Sequence, residues 1–155
     1  MTDIFGNENI VIFGQLALSL VLGALLGMES QISRKTAGMR TYALVAMGST
    51  LFTSISVLIT EIFGKDINFD PGRIAGQVVV GIGFIGGGLI IVRGDSVTGI
   101  TTAAGLWLAA AIGMAIGFGL YVIAIFATAL AIIVLVILWF IEDLVVRYLS
   151  STPPH

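Results

Sequence analysis

Four long stretches of this chain carry no charged side chain, and they limit what the chain can fold into. They cover residues 10–28, 41–60, 74–92 and 100–141. A helix that crosses the hydrocarbon layer of a bilayer needs roughly 20 mostly apolar residues, so each of the first three stretches suits one crossing. The fourth stretch would extend about 63 Å as one straight helix, twice the hydrocarbon thickness, and must therefore fold back on itself.

The glycines near the middle of the fourth stretch supply the break, and they are Gly113, Gly117 and Gly119. The sequence thus predicts an all-α integral membrane protein with five transmembrane helices. The expected helices cover residues 10–28, 41–60, 74–92, 101–117 and 119–141, with 1–9 as an outer N-terminal segment and 142–155 as a short cytoplasmic tail. Composition agrees, because 10% of the residues are charged, whereas soluble domains carry about a quarter.

The basic residues predict an orientation. Five of them follow the first, third and fifth expected helices, and two follow the second. Cytoplasmic loops are enriched in Lys and Arg, so we expect the larger group on the cytoplasmic side, the N-terminus outside and the C-terminus inside. The larger group is Arg34, Lys35, Arg40, Arg93 and Arg147, and the smaller is Lys65 and Arg73.

Residues 81–86 read GIGFIG and match the G-x-G-x-x-G pattern of dinucleotide-binding turns. That function also requires a second strand and an acidic residue about 20 positions further on, where this chain has Thr101. The pattern lies inside an apolar stretch whose backbone must be helical in lipid. The nucleotide interpretation therefore fails, and no feature points to a nucleic acid partner.

Glycines at helical spacing predict close helix packing instead, because small residues allow membrane helices to approach each other. We expect the third helix to be central, with the other helices packed around it. The second helix also carries hydroxyl side chains on one face, at Ser49, Thr53, Ser56 and Thr60, which can hydrogen-bond to a neighbour. The glycines expected to pack are Gly23, Gly27, Gly72, Gly76, Gly81, Gly83 and Gly87, together with Gly113 and Gly117.

The chain offers little for enzyme chemistry, and we expect no enzymatic activity. It contains no cysteine, which excludes thiol nucleophiles and cysteine-ligated metals. Its single histidine is the terminal residue, His155, so a histidine-based triad is not expected. None of the uncharged stretches can place an acid in the middle of the membrane, and no dedicated cation path is visible.

Polar residues at the start of the third expected helix are candidates for function. Asp70 before Pro71 is typical of a helix N-terminus, with Asp70 as the capping residue. Arg73 lies one turn inside the helix and needs a carboxylate partner, and Asp70 is the nearest in sequence. Gln77 follows one turn further along the same face. If a metal such as magnesium binds, Asp70 is the expected ligand.

A second group of candidates is expected at the other end of the helices. Glu29 lies at the end of the first helix. The expected geometry allows it to form a cluster with Arg40 or with Arg93. We interpret Arg34 and Lys35 as solvated loop charges. Asp70 and Glu29 are expected on opposite sides of the bilayer, so they cannot share one ion.

Four motifs in a fixed order resemble the MgtC/SapB family of bacterial inner-membrane proteins. They are residues 23–31 (GALLGMESQ), 35–41 (KTAGMRT), 70–88 (DPGRIAGQVVVGIGFIGGG) and 97–107 (VTGITTAAGLW). The resemblance covers residues 10–141 and implies a multi-pass protein of the bacterial inner membrane. It implies importance for Glu29, Arg40, Asp70, Arg73, Gln77, Gly81, Gly83, Thr101 and Thr102. Many members continue into a soluble cytoplasmic domain, so this chain is expected to be the short form.

The resemblance also implies a link to growth in low magnesium, stress adaptation and virulence. A family member is reported to act on the F-type ATP synthase, which makes such a complex one expected partner besides the lipid bilayer. Our first hypothesis is a non-enzymatic module, with no required cofactor, that regulates another membrane complex and can form a homo-oligomer. The alternative is a small magnesium or other cation transporter or channel.

Overall fold

The structure is a computed structural model that describes residues 7–63 and 70–150. Five helices account for most of this part of the chain, which confirms the predicted all-α fold. The helices are α1 (Asn7–Ile32), α2 (Met39–Phe63), α3 (Gly72–Gly87), α4 (Ile100–Gly117) and α5 (Tyr121–Ser150). Lys65, one of the two basic residues that follow the second expected helix, lies outside the described residues.

Of the five helices in the described residues, four are long and apolar enough to cross a membrane, namely α1, α2, α4 and α5. The third is shorter than predicted, since α3 has 16 residues. At ~1.5 Å per residue it is about 24 Å long, less than the roughly 30 Å of hydrocarbon. Three consecutive glycines, at 86–88, end it, because glycine costs about 1 kcal/mol per residue in a helix relative to alanine.

The last two residues of the expected third span lie in the first strand of a short antiparallel hairpin. Strand β1 (Ile91–Arg93) pairs with β2 (Ser96–Thr98), with Val92 opposite Val97. Gly94 in the turn has φ +57°, a conformation that glycine adopts without strain. The expected loop at Arg93 and Asp95 is therefore the tip of this hairpin.

The central helix of the fold is α4, and the expectation that the third helix is central was wrong. Helix α4 contacts each of the other four helices, whereas α3 packs mainly against α4 and α2. The core contains side chains of α1 and α4 that are fully buried, among them Leu26, Leu106, Ile112 and Ile116. Helix α3 therefore lies at the edge of the bundle.

Glycines of α1 and α4 allow the close packing that the sequence predicts. A Cβ on Gly23 would lie 2.8 Å from the Tyr42 carbonyl oxygen, and one on Gly27 would lie 2.8 Å from the Met39 Cα. A Cβ on Gly113 would overlap the Ala46 carbonyl oxygen. Contacts shorter than 3.0 Å to backbone atoms require the structure to shift, so these positions need glycine.

Two further glycines of α4 have the same role. A Cβ on Gly117 would lie 2.6 Å from the Thr53 Cβ. Gly105, which the sequence analysis did not single out, lies against the Tyr42 ring, whose hydroxyl a Cβ would overlap. The backbone of α4 is thus in close contact with α2 along much of its length.

The glycines of α3 that the sequence predicts to pack do not pack against another helix of the described chain, which corrects the expectation. A Cβ at four of them would meet no other atom within 4 Å among the described residues, and these are Gly76, Gly81, Gly83 and Gly87. Gly72 approaches only its near neighbour Asp70, whose Oδ1 would lie 3.0 Å from a Cβ. Helix α3 therefore presents small residues to its surroundings.

Hydroxyl groups of α2 hydrogen-bond to neighbouring segments, although mostly not from the predicted positions. The Thr50 hydroxyl donates to the Gly113 carbonyl oxygen at 2.8 Å, and the Ser56 hydroxyl donates to the Pro71 carbonyl oxygen at 3.1 Å. Thr53 and Thr60 instead donate to carbonyl oxygens one turn back in α2. Of the four predicted positions, Ser56 is therefore the one for which these hydrogen bonds reach another segment.

Candidate functional site between α2 and α3

A groove of about 780 Å³ separates α2 from α3, and three of the sequence-predicted residues line it. These are Arg40 on α2 with Gln77 and Gly81 on α3. The other lining residues are mostly apolar: Thr41, Leu44, Val45, Gly48, Ser49 and Phe52 on α2, and Ile74, Val78, Ile82 and Ile85 on α3. The structure thus brings together residues that are far apart in sequence.

Gly81 lines the groove, whereas the other open glycines lie on the opposite face of α3. Successive helical residues are rotated by about 100°, so Gln77, Gly81 and Ile85 share the face that lines the groove. Gly76 and Gly83 lie on the far side of the same helix. The third side faces α4, where Gly86 lies close to Ala103.

Arg40 is exposed at one end of the groove and makes no ion pair with any described residue. In place of the expected cluster with Arg40 or Arg93, Glu29 pairs with Lys35. The Lys35 Nζ lies 2.8 Å and 3.0 Å from the two Glu29 carboxylate oxygens. The Lys35 and Glu29 side chains are 27% and 12% exposed, so Lys35 is not the solvated loop charge that we expected.

A tight connection between α1 and α2 brings these two residues together. The Lys35 amide donates to the Ser30 carbonyl oxygen at 3.0 Å, and the buried Ser30 hydroxyl donates to the Ala37 carbonyl oxygen at 2.6 Å. Arg34 has φ +52°, which tightens the reversal of the chain. The loop therefore folds Lys35 back over the end of α1, where Glu29 lies.

At the opposite end of the bundle, Asp70 lies one residue before Pro71, the N-cap of α3, and so is not itself the predicted N-cap residue. Its Oδ1 accepts a hydrogen bond from the Gly72 amide at 2.8 Å, and Pro71 has helical φ −62° and ψ −22°. The expected Asp70–Arg73 ion pair is not present in the described part of the chain. Both side chains are exposed. Asp70 thus satisfies a backbone donor at the helix start.

The remaining candidates lie near the start of α4 and on the hairpin. Thr102 is buried, and its carbonyl oxygen accepts a hydrogen bond from the Tyr42 hydroxyl at 3.3 Å. Thr101 and Arg93 are exposed. Neither lines the groove, so the structure does not gather all the predicted residues into one site.

Comparison with known proteins now identifies the family. The model of the MgtC family matches residues 16–144, a range that includes the groove, the Glu29–Lys35 pair, the whole of α2, α3 and α4, and most of α1 and α5. The chain belongs to the MgtC family.

Several relatives share this membrane region. YhiD of Escherichia coli K12, which is named as a candidate magnesium transporter, is 44% identical to this chain over 123 residues. The matched part covers 78% of this chain and 57% of YhiD. Protein MgtC of Brucella abortus is 42% identical over 119 residues, 77% of this chain and 48% of that protein. This MgtC-family chain thus spans about half the length of these relatives. No solved structure was found to match it.

Metal coordination by several side chains has no support in the described residues of this MgtC-family chain. They contain no group of three or more His, Cys, Asp or Glu side chains that could hold an ion. Asp70 and Glu29 lie at opposite ends of the bundle, as the sequence predicts. Magnesium usually binds through one or two carboxylates plus waters, so an ion at Asp70 would need water for most of its ligands.

Sequence reasoning missed Gln15, which joins three helices. Its amide nitrogen donates to the Tyr121 hydroxyl at 3.1 Å, and its amide oxygen accepts from the Ser54 hydroxyl at 2.8 Å. It lines a cavity of about 240 Å³ together with Glu61. The sequence offered one signal for it, which is an amide side chain within an uncharged stretch. Polar side chains in membrane helices face the bundle interior, so such a residue is expected to bond to other helices.

Proposed function

We propose that this MgtC-family chain is a membrane-embedded regulatory module that binds another membrane protein through α3. The binding surface would be the glycine face of α3, which we define as Gly76, Gly83 and Gly87. This face carries the proposal because nothing in the described chain covers it. Membrane helices associate through small residues that let their backbones approach.

The same packing device operates inside the chain, which supports the proposal. Gly23 and Gly113 each bring a helix backbone into contact with α2. Gly76, Gly83 and Gly87 have spacings of seven and four residues and so share one side of α3. A helix of a partner protein could contact α3 in the way that α2 contacts α4.

Family membership supports a physiological setting for this function. The resemblance implies adaptation to low magnesium and other stress in the bacterial inner membrane. The partner would be a membrane complex such as the ATP synthase. A second copy of this chain could also bind the glycine face. Catalysis has no part in this proposal, because binding alone would alter the partner.

Leucine substitutions test the glycine face directly. Gly83→Leu and Gly87→Leu fill open space, so both variants should fold while losing the partner. Pull-down in mild detergent with mass spectrometry identifies bound proteins, and native sizing reports self-association. Gly81→Leu is the matched control, since it lies two residues away on the groove side. Retention of every partner and of the native size by both variants would refute this surface.

Magnesium transport is the second candidate, and the name given to YhiD favours it. In this alternative the Asp70 carboxylate attracts the ion at one end of α3. Purified protein in liposomes distinguishes the two functions by magnesium flux. Flux in the wild type that is abolished in Asp70→Ala supports transport, whereas no flux above that of empty liposomes counts against it.

A further inference from the structure

We propose that the groove between α2 and α3 binds one anionic phospholipid. In this complex the Arg40 guanidinium contacts the lipid phosphate, and one acyl chain lies along the apolar wall of the groove. The site is independent of the glycine face, because the two surfaces lie on opposite sides of α3.

The charge at the mouth of the groove favours an anionic head group. Arg40 is the single charged residue among those that line the groove, and none of them is acidic. It is exposed and has no carboxylate partner among the described residues. Arginine matches phosphate geometry with a fork of N–H donors. Basic pockets between membrane helices bind anionic head groups for this reason.

The groove has the length of one lipid leaflet. From Arg40 to Phe52, α2 rises about 18 Å at ~1.5 Å per residue, and one leaflet of hydrocarbon is roughly 15 Å thick. Exposed apolar side chains form the wall beyond Arg40, including Leu44, Phe52 and Ile85. A head group at Arg40 would therefore place an acyl chain along this wall, within a single leaflet.

Two glycines keep the groove open. Gly48 lies on the α2 side and Gly81 on the α3 side, and a Cβ at either would meet no described atom within 4 Å. The same length and charge argue against a partner helix as the occupant. A crossing helix would extend beyond a groove of one leaflet and would leave the Arg40 charge without an anion.

Native mass spectrometry of the purified chain tests the head group. Phosphatidylglycerol and phosphatidylcholine with identical acyl chains would be added at equal concentration. We expect the wild type to retain phosphatidylglycerol preferentially. Arg40→Gln should lower that retention about fivefold, the effect of one basic residue at an anionic lipid surface, and should lower phosphatidylcholine retention less, because the choline cation offsets the phosphate charge. Arg93→Gln, on the hairpin outside the groove, should behave as wild type.

Leucine substitutions test the acyl chain separately. Gly48→Leu and Gly81→Leu project into open space and should each reduce retention of both lipids, whereas Gly83→Leu on the opposite face should not. Equal retention of the two lipids by the wild type would overturn the proposal. The proposal would also be overturned if Arg40→Gln, or both Gly48→Leu and Gly81→Leu, retained the lipids as the wild type does. Displacement of the lipid by matched inorganic phosphate would show a simple anion site instead.

Protein cross-linking supplies a final discriminating measurement. A photoreactive residue at position 81 should cross-link to lipid, and one at position 83 should cross-link to a protein partner. Cross-linking of position 81 chiefly to protein would assign the groove to a helix. Failure of the partner proposal would change only the result at position 83, so the two proposals fail separately.

Discussion

The Thr50 hydroxyl donates to the Gly113 carbonyl oxygen at 2.8 Å, across the contact between α2 and α4. The same hydroxyl lies 3.0 Å from the Ala46 carbonyl oxygen of its own helix. A Cβ on Gly113 would overlap that Ala46 oxygen. The Thr50 hydrogen bond therefore depends on Gly113, which lets the backbones of α2 and α4 come together. The glycine and the hydrogen bond both stabilise the contact between these two helices.

Thr50→Val should weaken the contact between α2 and α4. The substitution preserves shape but removes the hydroxyl, and interhelical hydrogen bonds in membranes contribute about 0.6 kcal/mol on average and up to about 1.7. We expect a loss of this size in the free energy of unfolding, measured by denaturant titration in detergent. Thr50→Ser keeps the donor and should lose less. Equal losses in the two variants would show that the hydroxyl does not matter.

Gly113→Leu should be more damaging than a leucine substitution on the glycine face of α3. The new side chain would have to displace the backbone of α2, and overpacking of this kind costs about 1–3 kcal/mol or more. The temperature at which the protein loses its monodisperse elution profile measures the effect. Gly83→Leu, which projects into open space, is the control. Similar temperatures for both variants would contradict the observed packing.

Lys35→Met should destabilise the end of α1, because it leaves the largely buried Glu29 carboxylate without a cation. Exposed ion pairs contribute ~0–1 kcal/mol, and breaking a buried pair costs about 3–5 kcal/mol. We expect about 1–3 kcal/mol for this half-buried pair, measured by denaturant titration. Arg34→Met removes a neighbouring exposed charge and should have little effect.

A double-mutant cycle isolates the Glu29–Lys35 interaction itself. Adding Glu29→Gln to Lys35→Met removes the stranded carboxylate, so the double variant should lose less than the sum of the two single losses. Strict additivity would show that the two residues are not coupled.

Asp70→Ala should loosen the start of α3. The variant loses the acceptor for the Gly72 amide, and loss of such a cap costs about 1 kcal/mol. Hydrogen exchange at the first turn of α3 should be faster in Asp70→Ala, whereas Asp70→Asn keeps an oxygen acceptor and should be protected. The sequence predicts that both variants impair function while the protein still inserts. Wild-type complementation by both would contradict a functional role for the carboxylate.

Much of the fold could be predicted from the sequence because lipid restricts the choices. Backbone polar groups in hydrocarbon must bond within a helix, so uncharged stretches of sufficient length give the number of helices. The break at Gly119, whose φ is +76°, lies between α4 and α5 as expected. The shortened α3 was not predicted, since residues 88–92 are as apolar as a membrane helix and hydrophobicity alone does not distinguish a hairpin strand from a last helical turn.

The candidate site was predictable only in its parts. Sequence reasoning selected Arg40, Gln77 and Gly81 separately, but not their common groove, because it depends on how α2 and α3 are placed side by side. Arg40 and Arg93 were the partners considered for Glu29, yet Lys35 reaches it through a chain reversal that has no strong sequence pattern. Gln15 was missed because its importance comes from two partners, Ser54 and Tyr121, on other helices.

The sequence by itself determined that this chain is a bundle of apolar helices with its charges at the ends, because the cost of charge in hydrocarbon leaves few alternatives. It also showed which helices can approach closely, through the spacing of their glycines. Only the tertiary structure decided which of these faces are used. Gly113 is covered by α2, whereas Gly83 is left open. The spacing of residues shows which of them share one face of a helix. Which other helix lies against that face is set by the packing of the whole bundle.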